Sequence, residues 1–126
     1  MLRTALRSIA AQTALSAVGE VVVIENLSNR ESGRVCQEFP QLPISYVFRD
    51  PPLPPGSVAA SRDALGRIHS ERMAILFDDD WWMEQHLESA IKSFDQRPDV
   101  VASYAVCLWT TGEDGYLDGT YGSFLP

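Results

Sequence analysis

Apolar positions along the chain follow two rhythms. In residues 2–12, Leu2, Leu6 and Ile9, with Thr13 beyond them, fall at helical spacing, which predicts an amphipathic helix with one inner face. Residues 20–26 behave differently. Val21, Val22, Val23 and Ile24 form an unbroken β-branched run, which predicts a strand covered on both faces, as in a parallel sheet. Turn and cap residues follow at 26–33, then a weak helix near 33–39. Pro40 and Pro43 bracket a loop, and "ISYVF" at 44–48 predicts a second strand.

"RDPPLPPG", residues 49–56, holds four prolines in eight positions and predicts a stiff exposed loop. Ser57 is placed to cap a helix over 58–68. Residues 72–77 predict a third strand. Met83, Leu87, Ala90, Ile91 and Phe94 form the clearest helical stripe, which Pro98 ends. Residues 100–109 predict a fourth strand, 110–115 a turn containing Glu113 and Asp114, and the remainder trails off in Gly, Tyr and Ser. Strands alternating with helices predict an α/β domain with a mostly parallel sheet, whose ligands sit beyond the carboxyl ends of the strands.

The 126 residues suffice for one domain, 1–126, with a real core. A net charge of −7 and scattered Lys and Arg argue against nucleic acid as a partner and suit a protein that holds a cation. Cys36 and Cys107 are the only cysteines and form no metal-ligand spacing, which fits a reducing cytoplasm. No apolar run approaches the ~20 residues of a membrane span. The acid-free stretch before Glu20 faintly resembles a transit peptide, but the amphipathic-helix reading accounts for it.

The candidate chemistry lies at two predicted strand ends. Glu25 and Asn26 follow "VVVI"; Asp78, Asp79 and Asp80 follow "MAILF". Asp80 alone could cap the next helix. Two further carboxylates add repulsion of ~1 kcal/mol in water, or ~4 kcal/mol at an effective dielectric near 20, for a ~4 Å separation. No Lys or Arg lies between Arg72 and Lys92 to offset it. A divalent cation would, since Mg²⁺ or Mn²⁺ takes one or two carboxylates plus waters and phosphate oxygens.

Four segments in register resemble the family-2 glycosyltransferases, inverting enzymes that use nucleotide-sugars. They are "LRTALRSIAAQT", "VVVIENLSN", "AASRDALG" and "AILFDDDWW" with the following "MEQHLESAIKSF". The resemblance implies an incomplete, Rossmann-like glycosyltransferase A-type fold. Glu25 and Asn26 would hold the base and ribose, though the family usually writes two aspartates there. Arg62 would lie near the base and diphosphate. Asp78 would touch ribose and metal, Asp79 the metal, and Asp80 would share the metal or cap the helix.

Phe77 stands where some relatives carry a further Asp. Trp81 and Trp82 read as packing residues, His69 and His86 as surface or helix residues, and Glu113 with Asp114 as a turn. The family's first strand and its acceptor half, with the catalytic base, have no counterpart. These absences predict a truncated nucleotide-binding half, whose sheet a second copy in a homo-oligomer could complete. The rival reading is a non-catalytic or vestigial α/β module completed by a partner chain. A nucleotidyltransferase is disfavoured because no Gly-rich phosphate loop is present.

Overall fold

A computed structural model describes residues 1–26, 30–52, 57–103, 108–111 and 116–120. These fall into two compact units, Met1–Ser89 and Ala90–Pro126.

The first unit opens with helix α1, Leu2–Ala10, which buries Ala5, Leu6, Ser8 and Ile9. The helical spacing of the apolar residues sets that face, and Arg7 in the last turn suits the negative end of the helix dipole. A short 3-10 turn, Leu15–Ala17, leads to strand β1, Val21–Glu25. Helix α2, Glu31–Cys36, then crosses to strand β2, Ile44–Phe48. The two strands pair in parallel, with Val21 opposite Ile44 and Glu25 opposite Phe48. Helix α3, Ser57–Leu65, follows.

The core is small and one-sided. Leu6, Ile9, Cys36, Phe39 and Leu42 are buried together, and Val21, Val23, Ile44, Tyr46, Leu76 and Trp82 pack against them. Alternation along β1 sends Val22 and Ile24 to the other face. Helix α3 touches β1, yet Val21, Val22, Val23 and Ile24 are all only half-buried. The expected strand buried on both faces is therefore half-covered.

Two further expectations change. Residues 73–77 are not a sheet strand: among the described residues they pair with no neighbour, and Met73, Ile75 and Phe77 are exposed. The stretch has the apolar, β-prone composition of a strand, but a strand also needs an edge to bond to, and among the described residues β1 pairs only with β2. The helix expected from Met83 begins at His86: helix α4 is His86–Gln96, spanning the boundary between the two units.

In the second unit, strands β3, Leu108–Thr111, and β4, Tyr116–Thr120, pair antiparallel with a register shift between Leu108 and Thr110. The predicted strand over 100–109 is thus limited to its last two residues among those described. Residues 110–111 are strand rather than turn, and 116–120 are strand rather than an irregular tail. Glu113 and Asp114 lie outside the described residues. The sheets are two separate pairs, one parallel and one antiparallel, among the described residues. No helix among those residues is long and apolar enough to cross a membrane.

Candidate functional site

Glu25 ends β1 and is 4% exposed. Its Oε2 accepts a 2.6 Å hydrogen bond from the Tyr46 hydroxyl and a 3.2 Å bond from the Ser32 backbone N–H. Its Oε1 is buried without a hydrogen-bond partner among the described residues. A buried carboxylate oxygen left unpaired costs on the order of 1–3 kcal/mol or more, so this atom calls for a donor from outside the described residues. Burial, and then the bond and charge of Glu25, push the Tyr46 hydroxyl up to about 12. Burial, and then the charge of Glu25, push the Cys36 thiol up as well.

Tyr46 is positioned by a glycine. A Cβ on Gly33 would stand 3.0 Å from Tyr46 Cε1 and 3.3 Å from Cζ. Just before α2, Arg30 holds a left-handed backbone with φ of 55°, an uncommon state for a residue with a Cβ. Its guanidinium lies 4.3 Å from the centre of the Phe48 ring, a cation–π contact beside the end of β2. A cleft of about 520 Å³ runs between α2 and β2, with Arg30, Arg34, Phe39 and Tyr46 among its walls.

Asn26 follows Glu25 and is half-buried. Arg62 lies on α3 and is exposed, without a side-chain partner among the described residues. Its neighbour Asp63 is the structural one, joined to Arg67 at 3.1 Å and to Arg49 at 3.6 Å.

The three aspartates wrap a turn. Asp80 N–H donates to the Phe77 carbonyl at 3.1 Å, which places Asp78 and Asp79 at its two central positions. All three are exposed. Among the described residues no three His, Cys, Asp or Glu side chains converge on a metal position. Exposure to water reduces the repulsion between them to the order of 1 kcal/mol per close pair, so the turn tolerates the charges without a bound ion. The aspartates therefore build no closed cage. They suit only the open mode, in which one or two carboxylates meet an ion that brings its own waters and phosphate oxygens.

Asp80 does not cap α4, which begins at His86. That work falls to Gln12, which sequence reading had noted only as part of a resemblance. Gln12 is 4% exposed. Its Nε2 donates to the Ser8 carbonyl at 2.9 Å and to the Met83 carbonyl at 2.7 Å, while its Oε1 accepts from the Leu87 N–H at 2.9 Å. Thr13 adds a backbone bond to the Glu84 carbonyl at 2.8 Å and a hydroxyl bond to Glu88 Oε2 at 2.9 Å. Ser8 Oγ accepts from the Trp82 N–H at 3.1 Å.

The end of α1 thus fixes the segment that follows the aspartate turn. Trp82 packs on the core and stacks on His86, with ring centres 4.7 Å apart. Burial lowers the His86 pKa. Trp81 is 48% exposed and lines a second cleft, of about 470 Å³, with Arg7, Trp82 and Met83. Neither cleft is lined by Glu25 or by the three aspartates.

The family model described as glycosyl transferase family 2 matches residues 1–123, nearly the whole chain. Neither the curated proteins nor the solved structures provide a match. The small α/β architecture, with a parallel β1–β2 pair and helices against it, agrees with an incomplete glycosyltransferase A-type fold. On the extent of that match, the chain belongs to glycosyl transferase family 2.

Proposed function

We propose that the chain binds a nucleotide-diphosphate sugar together with Mg²⁺ or Mn²⁺, for inverting transfer of the sugar to an acceptor hydroxyl. The family match over residues 1–123 carries this reading. Glu25 and Asn26 face the base and ribose. Tyr46 and the Ser32 N–H hold one carboxylate oxygen of Glu25, which leaves Oε1 to accept a hydrogen bond from the nucleoside. Arg62 contributes a planar guanidinium to the base or diphosphate. Asp78 meets the ribose and the cation, Asp79 the cation, and Asp80 shares that ion. When bound, the ion neutralises the leaving diphosphate. No residue is assigned as the base that deprotonates the acceptor.

Calorimetric titration with UDP- and GDP-sugars, with and without Mn²⁺, tests the proposal. Metal-dependent heat is expected for at least one sugar nucleotide. Its absence with folded protein refutes the reading.

A second reading is a non-catalytic α/β module completed by a partner chain. The exposed aspartates, which converge on no three-ligand group among the described residues, favour it. It predicts that Asp78→Asn with Asp79→Asn leaves the melting temperature in Mn²⁺ unchanged. A Mn²⁺-induced rise that this double substitution abolishes argues against it.

A further inference from the structure

The cleft between α2 and β2 lies apart from the proposed site: Glu25, Asn26, Arg62 and the three aspartates are not among its walls. Its volume of about 520 Å³ falls within the ~300–1,000 Å³ of small-molecule sites. The two ends of the cleft differ in chemistry. Helix α2 joins two parallel strands and so runs back along β2. Arg30 therefore stands at the carboxyl end of β2, against Phe48, while Phe39 and Leu42 lie where the strand begins. The chain at that end is tied by the Leu42 N–H to the Phe39 carbonyl at 3.0 Å and by the Ile44 N–H to the Leu42 carbonyl at 2.9 Å.

Phe39 and Leu42 are buried core residues, and Ile44 and Tyr46 are half-buried beside them, so this end of the cleft opens onto the apolar interior. The other end is cationic. Arg30 and Arg34 are exposed, and among the described residues neither guanidinium has an ion-pair or hydrogen-bond partner. The Phe48 ring steadies Arg30 through a contact that uses none of its N–H donors. No acidic residue lines the cleft, although the chain carries a net charge of −7.

We propose that this cleft binds a single-chain amphiphilic anion, its head on Arg30 and Arg34 and its alkyl tail along Tyr46 and Ile44 toward Phe39 and Leu42. The guanidinium forks select the head, because carboxylate and phosphate oxygens match their donors. The buried floor selects the tail, since each methylene taken out of water strengthens binding roughly fourfold. Strand β2 has five residues and extends about 13 Å from first to last, which suits a chain of medium length. This proposal does not rest on the transferase reading.

Calorimetric titration of the full chain with decanoate, decyl phosphate and decyltrimethylammonium, each below its micelle concentration, tests it, and two-dimensional NMR of the backbone amides locates the site. Saturable binding of both anions is expected at ~10 μM to ~1 mM, about tenfold or more tighter than the cation. The amide shifts should concentrate at Gly33, Gln37 and Leu42. Hexanoate should bind about tenfold or more weaker than decanoate. Arg34→Gln removes an exposed charge and should weaken decanoate about fivefold without changing the affinity for uncharged decanol, and Arg34→Lys should recover part of the loss. Arg97→Gln, at an exposed arginine outside the cleft, should leave decanoate within about twofold. Equal affinity for anion and cation overturns the proposal, as does the absence of saturable heat up to ~5 mM. So do unfolding in place of binding, amide shifts confined to residues outside the cleft, or wild-type affinity for decanoate in Arg34→Gln.

Discussion

Gln12 offers the sharpest test of how this chain is held together. Replacing it with Ala removes three hydrogen bonds, two of which join the end of α1 to the start of α4 while the third closes the end of α1 on the Ser8 carbonyl. Their values differ with the fate of each partner. Met83 is 60% exposed and its carbonyl also accepts from the His86 N–H at 3.0 Å, so water and that bond compensate there. Ser8 is buried at 8% exposure, and the Gln12 backbone N–H goes to Ile9 rather than to Ser8. The Ser8 carbonyl then loses the partner it has among the described residues, at about 1–3 kcal/mol. The Leu87 N–H, in the first turn of α4, loses its cap at about 1 kcal/mol.

A total near 3 kcal/mol corresponds to a melting temperature lower by about 10 °C for a chain of this size. Urea unfolding measures the energy, and hydrogen exchange of the Leu87 amide reports the site. Gln12→Met, which keeps the length and removes the bonds, should lose nearly as much. Wild-type stability in Gln12→Met would mean that side-chain volume, not hydrogen bonding, carries the effect, and would refute the reasoning. A loss below ~0.5 kcal/mol in Gln12→Ala would do the same.

Three further outcomes follow from the site. Gly33→Ala presses a methyl group onto the Tyr46 ring and should destabilise by about 1–2 kcal/mol in denaturant melts, with part of the loss recovered when Tyr46 is also replaced by Phe. Tyr46 is raised to about 12 from a free value near 10, so its contribution is complete below about pH 10 and lost as pH rises toward 12; Tyr46→Phe should flatten that alkaline loss, read by circular dichroism alongside tyrosinate absorbance. His86 is shifted down by burial, so its contribution is present above the free value of about 6.5 and lost as pH falls below it. His86→Phe keeps a ring against Trp82 and should remove this part of the acid-side slope in melts between about pH 7 and 5.

The parts of this fold visible in the sequence are those set by local pattern. The α1 stripe, the β-branched run of β1 and the "ISYVF" strand each carry their periodicity within a few residues, and each formed where expected. Residues 72–77 have a strand's composition, but pairing depends on a neighbour that composition does not reveal. Asp80 looked like a helix cap because Asp commonly caps; the cap came instead from Gln12, distant in sequence and delivered by tertiary packing. The Glu25 position was legible from its strand end, whereas its clamp by Tyr46 depended on the cross-strand register. The strand β4 escaped notice because its Gly and Asp are poor strand formers.

Every buried apolar side chain among the described residues lies between Ala5 and Leu42. A chain made from its amino end would have the whole of that kernel available for collapse before the aspartate turn left the ribosome. Synthesis order would thus let the interior form first, with the acidic segment joining a scaffold already assembled and Gln12 waiting to receive it.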